Sequence, residues 1–152
     1  YKGTDNMEFK KFSVFDGVGV AYARAANIKI AIISARYSPA TEHRAKELNI
    51  DDCYNGGLNK LHAYNDIKNK YSLSDDKIAY LGDDMVDLPV MKLVCLPIAA
   101  ANATPEILKV AKYTTKVKGG EGAFRDAVEW IIKMQGRTEE VKEKMIKRVL
   151  NS

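Results

Sequence analysis

Three carboxylates, Asp83, Asp84 and Asp87, follow directly on the apolar run Ile78-Ala79-Tyr80-Leu81 and a glycine, Gly82. Acids packed this closely repel one another unless a cation offsets them. Hard oxygen ligands of this kind suit Mg2+, which takes one or two carboxylates and leaves its other positions to water and phosphate. The same acids are equally what a helix start asks for, since Asp caps exposed N–H groups and meets the positive end of the helix dipole. Two further polar groups stand in comparable places. Ser34 and Arg36 follow the apolar stretch 28–33, and Asn59 and Lys60 follow Asn55-Gly56-Gly57. A hydroxyl and an ammonium aimed at a metal site make a phosphoryl-binding constellation, because charge on a transferred phosphoryl group must be offset from several sides. Taken singly, each of these side chains is also an ordinary polar loop residue.

The elements that must position them alternate in type. Residues 1–14, with Gly3-Thr4-Asp5-Asn6 between two strand-like segments, read as a β-hairpin whose second strand is 7–14. Asp16-Gly17 is expected to break that strand and 18–26 to form a short helix. Residues 28–33 are β-branched and almost continuously apolar, as in a strand covered on both faces. Ser38-Pro39 starts a helix to about Leu48, 52–54 is a weak strand, and a helix opens at Leu58 or Asn59 and runs to about Tyr71. After the strand 77–81, the pattern predicts a short helix at 87–92, a strand at 94–98, a helix at 104–111 and a strand at 113–117. Gly119-Gly120-Glu121-Gly122 leads into a helix through Met134, and 138–150 is a basic amphipathic helix. This alternation implies one α/β domain, a three-layer sandwich around a mostly parallel Rossmann-like sheet. Ligands of such sheets bind at the carboxyl ends of the strands, where Ser34, Arg36, Lys60 and the acid cluster would converge.

Composition narrows the partners. With 152 residues, 46% apolar and 29% charged, the chain is that of an ordinary globular domain with a sizeable core. The net charge of +4 is spread along the chain, which favours a small anionic ligand over nucleic acid. No apolar run reaches membrane-span length. Cys53 and Cys95 form neither a C-x-x-C pair nor a Cys/His cluster, and they read as buried thiols of a protein kept in a reducing cytoplasm.

The ordered blocks carry a resemblance. Ile32-Ile33-Ser34, Lys60 and Gly82-Asp83-Asp84-Met85-Val86-Asp87 resemble the second, third and fourth motifs of the haloacid dehalogenase (HAD) superfamily of phosphotransferases. More narrowly, Phe12-Ser13-Val14-Phe15-Asp16-Gly17-Val18-Gly19, Ser34-Ala35-Arg36-Tyr37-Ser38, Arg44-Ala45-Lys46-Glu47-Leu48 and Gly119-Gly120-Glu121-Gly122-Ala123-Phe124-Arg125 are similar in order and spacing to the capless 3-deoxy-D-manno-octulosonate 8-phosphate (KDO 8-phosphate) phosphatases. The resemblance covers nearly the whole chain. It implies Mg2+-dependent hydrolysis of a sugar-acid phosphate through an aspartyl-phosphate, in a cytoplasmic homotetramer closed by hairpins and chain ends of neighbouring subunits. It further implies that Asp83 and Asp84 hold the metal, with Asp87 supporting the site. Ser34 would bond the phosphoryl group, Lys60 would neutralise it and orient the nucleophile, and Arg36 and Gly120 would meet the substrate. Related phosphatases for nine-carbon keto-sugar acids carry Glu at the position of Arg36, and Ala35 stands where Gly is usual.

One block is missing. The family's first motif, Asp-x-Asp at the end of the central strand, occurs nowhere in these 152 residues. The resemblance therefore implies that the sequence is N-terminally incomplete, and that the strand carrying the nucleophile belongs between the strands at 28–33 and 77–81. Without it, buried backbone groups on both would go unpaired at about 1–3 kcal/mol each. The other reading from the same resemblance is a non-catalytic oligomerisation module, as in the carboxy-terminal domain of animal sialic-acid cytidylyltransferases. Intact Ser34, Lys60, Asp83 and Asp87 together argue against it.

Overall fold

The computed structural model describes residues 8–50 and 52–151. The first seven residues, and with them the first half of the expected hairpin, lie outside that range. Glu8 makes an isolated β-bridge, but the strand expected to continue to Val14 ends early. Ser13 is extended and its hydroxyl accepts the N–H of Phe15 at 3.2 Å, which caps helix α1, Val14–Ala25. Asp16 and Gly17 thus lie in the first turn of a helix and do not break the chain. An acid at that end is favoured by the helix dipole.

Beyond α1 the elements alternate as the pattern predicts. Strand β1 (Ala31–Ser34) leads to helix α2 (Pro39–Glu47), β2 (Asp52–Asn55) to α3 (Lys60–Tyr71), and β3 (Ala79–Gly82) through a 3-10 turn (Met85–Asp87) to α4 (Leu88–Met91). There follow β4 (Leu96–Ala99), α5 (Pro105–Val110), β5 (Tyr113–Thr114), α6 (Ala123–Met134) and α7 (Thr138–Leu150). Most strands begin a residue or more later than their apolar runs suggest. Residues 28–30, for instance, belong to the apolar run but to no strand among the described residues.

The ladders among the described strands are parallel. β1 pairs with β2 from Ala31 opposite Asp52 to Ser34 opposite Asn55, and β3 pairs with β4, which pairs with β5. Among the described residues these are two sheets, one of two strands and one of three, with no ladder between β1 and β3. Pro97 lies in β4, which is flanked on both sides. Its carbonyl takes the N–H of Lys112, so the missing donor faces the β5 edge one residue before that ladder begins at Ile98.

Helices cover both faces of β1, as the unbroken apolar run implies. Ile32 packs on Val20, Ala45 and Ile50, the layer of α1 and α2. Its neighbour Ile33 points the other way, onto Tyr64, Val90 and Val94 in the layer of α3 and α4. Tyr80 of β3 packs on that same second layer, so the two sheets lie side by side over it. This is the three-layer sandwich. Helices α1, α6 and α7 close one side around Ala23, Val128, Ile132 and Val141.

Candidate active site

The site is built at the carboxyl ends of β1, β2 and β3. Gly82 ends β3 where the chain passes Asp87 at close quarters: a Cβ there would lie 2.7 Å from the Asp87 Cβ and 2.8 Å from the Met91 sulfur. The 3-10 turn that follows opens with a capping box. Asp84 accepts the N–H of Met85 at 2.7 Å, while Asp87 reaches back to the N–H of Asp84. The helix-start role that the spacing allowed is therefore filled by Asp84 and Asp87.

Asp87 is 1% exposed. Its Oδ1 accepts from Lys60 Nζ at 2.5 Å and from the Tyr80 hydroxyl at 2.7 Å, and its Oδ2 from the N–H groups of Asp83 and Asp84 at 3.0 and 3.2 Å. Four donors fill both oxygens, leaving Asp87 no lone pair for a metal. Burial works against its ionisation, but the Lys60 and Tyr80 hydrogen bonds and the Asp83 amide outweigh that, and its carboxyl stays below the ordinary value. Asp83 shifts the opposite way. Desolvation and the Asp87 charge, with a smaller push from Asp84, raise its pKa against the pull of Lys60.

That contrast is the test of whether a divalent cation suits the site. Asp83 is a hard oxygen donor crowded by negative charge, which is the condition a bound cation relieves. Asp84 offers a second carboxylate at the surface. Among the described residues no group of three or more His, Cys, Asp or Glu could hold a metal. One or two carboxylates is nonetheless the share Mg2+ takes from a protein. The residues present fit that share: Asp83 and Asp84 would offer the carboxylates, with Asp87 as the anchor behind them.

The remaining expected residues are placed unevenly. Lys60, the first residue of α3, reaches across from β2 to Asp87, which ties the ends of β2 and β3 to one edge. Asn59 caps α3 by accepting the N–H of Leu61 at 3.2 Å. It also shares with Ser34 a cavity of about 350 Å3 lined by Gly56, Gly57, Leu58 and His62. Ser34 points its hydroxyl at the carbonyl of Arg36, 2.8 Å away, within its own turn. Arg36 is exposed, and its guanidinium pairs with Glu8, which also accepts the hydroxyl of fully buried Ser38. Gly120 sits in the turn 119–122 at φ +77. The N–H of Gly119 bonds Asn102 at 2.7 Å in the loop after β4, where Ala100 and Thr104 donate to the carbonyls of Gly82 and Asp83. Both ends of the edge are thus in place.

Three residues that carry this arrangement escaped the reading of motifs. Tyr80 looks in sequence like one more apolar strand residue, and Glu8 like a hairpin charge. Asp16 looks like a turn residue, yet it accepts the N–H groups of Phe124 and Arg125 at 3.1 and 3.3 Å, capping α6 from 108 residues away. Alternation along β3 was the one signal available: it sets Tyr80 on the opposite face from Leu81. Cys53 and Cys95 are free as expected, but Cys53 is only half-buried and Cys95 is exposed, against the expectation of two buried thiols.

A family model for haloacid dehalogenase-like hydrolases matches residues 50–125, the stretch from before β2 to the start of α6. The KDO 8-phosphate phosphatase KdsC of Escherichia coli K12 is 38% identical over 142 residues, covering 93% of this chain and 76% of that protein. The chain belongs to the haloacid dehalogenase-like hydrolases. Within this family, the crystal structure of the KDO 8-phosphate phosphatase from Yersinia pestis superposes with a TM-score of 0.88 at 38% identity, covering 91% of this chain and 75% of that one. The enzyme of the same description from Moraxella catarrhalis superposes with a TM-score of 0.90 at 31% identity, covering 95% and 83%. That structure holds a magnesium ion, a phosphate ion and a KDO molecule.

Proposed function

We propose that this protein is a Mg2+-dependent phosphatase that hydrolyses KDO 8-phosphate to KDO and phosphate. The observation that carries the reading is the Lys60–Asp87 pair set beside Asp83 at the carboxyl edge, in a chain whose family relatives bear that activity in name. Mg2+ held by Asp83 and Asp84 supplies positive charge against the phosphoryl oxygens. Lys60 adds a fixed ammonium at the same edge, and Asp87, locked by four donors, keeps that ammonium in place. Ser34 turns its hydroxyl from the Arg36 carbonyl to a phosphoryl oxygen. Arg36, with N–H groups beyond those that meet Glu8, binds the sugar's carboxylate, and the 119–122 turn carrying Gly120 borders the substrate.

The nucleophile in this reading is an Asp on an extended segment that pairs with both β1 and β3. The absence of a ladder between those two strands among the described residues supports a strand at that place, and the 152 residues contain no Asp-x-Asp to supply it. Attack of that Asp on phosphorus and hydrolysis of the resulting aspartyl-phosphate complete the reaction. We further infer a cytoplasmic homotetramer. No helix among the described residues is long and apolar enough to cross a membrane. Val14, Phe15 and Leu150 are all more than half exposed, an apolar surface of the kind that self-association covers.

The test is phosphate release by the full-length protein from KDO 8-phosphate and from a nine-carbon keto-sugar-acid 9-phosphate, with Mg2+ and with chelator. Metal-dependent release preferring the eight-carbon substrate is expected. A preference for the nine-carbon ester would reassign the substrate. No release from either, in a protein that still assembles, would make the chain a non-catalytic module.

A further inference from the structure

We propose that Tyr80 is a positioning residue for phosphoryl binding, acting through Asp87 on Lys60; the inference rests on the reading of Lys60 given above. Tyr80 and Lys60 approach the same oxygen, Asp87 Oδ1, from different elements, at 2.7 and 2.5 Å. The tyrosine end of this relay cannot drift. Its ring packs against both the cluster around Met91 and Ile107 and the cluster around Tyr64 and Val90. The ring is thereby held between two clusters of the core, and its hydroxyl with it.

Two consequences follow for Lys60. A carboxylate oxygen bonded only by a lysine would follow that flexible four-carbon stem, whereas one also bonded by a core-held phenol stays put. The phenolic O–H also takes part of the charge on Oδ1, so the ammonium is less completely neutralised by Asp87. An ammonium carries three donors, and those not spent on Asp87 keep their pull on a phosphoryl oxygen. Without Tyr80, Lys60 closes onto Asp87 and withdraws from the ligand.

Phosphate binding tests this in the full-length, Mg2+-loaded protein, with inorganic phosphate as the probe. Wild type, Tyr80→Phe, Lys60→Gln and the double variant are compared by calorimetry and by KM and kcat on p-nitrophenyl phosphate. Phe keeps the ring in its clusters, and Gln keeps a donor for Asp87. Tyr80→Phe is expected to weaken phosphate binding and raise KM by about tenfold, the scale of one hydrogen bond to a charged group, with kcat changed by less than about threefold. In the Lys60→Gln background the same substitution should add nothing. Unchanged phosphate binding in Tyr80→Phe overturns the proposal. So does an equal loss in both backgrounds, which would make Tyr80 independent of Lys60. Wild-type phosphate binding by Lys60→Gln itself would overturn the role of Lys60 and the functional reading with it.

Discussion

At the scale of single residues, Asp83 and Asp87 are neighbours with opposite electrostatics, and substitution should separate them. Asp87 has a lowered pKa, so its ionised form contributes stability above the ordinary carboxylate range, and that contribution is lost as pH falls through the lowered value. Asp87→Asn removes one partner of a buried pair and sets an amide N–H2 against donors, at about 3–5 kcal/mol. Thermal unfolding at neutral pH should show that loss. Asp83 has a raised pKa, so its ionised form subtracts stability once pH rises through the raised value, and subtracts none below the ordinary range. Asp83→Asn should therefore melt higher than wild type at pH 7 in chelator, with the advantage vanishing in acid. Added Mg2+ should stabilise wild type and not this variant. Arg36 makes a third case. The guanidinium is the exposed end of its ion pair, and the largely buried Glu8 keeps the Ser38 hydroxyl as a donor when Arg36 is removed, so Arg36→Ala should lower melting only modestly and leave p-nitrophenyl phosphate turnover nearly unchanged. It should lower kcat/KM on KDO 8-phosphate by about 1.5–3 kcal/mol. Equal losses on both substrates would remove Arg36 from sugar recognition.

Between elements, α1 and α6 approach closely. A Cβ on Gly19 would lie 2.7 Å from the Arg125 Cα, backbone that can yield only by moving a helix. The same contact lets Asp16 reach the first N–H groups of α6, where the N-cap residue Gly122 has no side chain to offer. These two residues thus set where α6 begins, and with it the 119–122 turn. Gly19→Ala should destabilise by about 1–3 kcal/mol through overpacking, read in denaturant unfolding. KM for the sugar phosphate should rise as the turn shifts. A KM unchanged in a destabilised variant would mean that the turn is held from Asn102 alone.

Across the whole molecule, the division of the described strands into two parallel sheets has a counterpart in the placing of the candidate site residues. The residues of the site divide in the same way, Ser34 and Arg36 at the end of β1 and the acids at the end of β3. Lys60, at the start of α3, spans the division through Asp87, and the shared helical layer under Ile33 and Tyr80 holds the two parts level. On the proposed reading, a polypeptide of these 152 residues alone should release no phosphate from KDO 8-phosphate with Mg2+, since they contain no Asp-x-Asp. Metal-dependent phosphate release by that polypeptide would show that another group attacks.

The sequence by itself determined the order of elements, because a strand buried on both faces writes a continuous apolar run and Ser38-Pro39 or Asn59 mark helix starts without help from the rest of the chain. It also determined which edge gathers Ser34, Lys60 and the acids, since each of them stands at or after the end of a strand. It could not divide labour among the three acids. Asp83, Asp84 and Asp87 are one residue type within five positions, and only the donors that reach Asp87, Lys60 from α3 and Tyr80 from β3, make it an anchor, while desolvation and the Asp87 charge raise the pKa of Asp83. The start of α1 was misread for a related reason. Asp-Gly signals a turn locally, but inside α1 the absence of a Cβ at Gly19 and the carboxylate of Asp16 serve a helix more than one hundred residues later. Those roles are distances between remote segments, which no local pattern records.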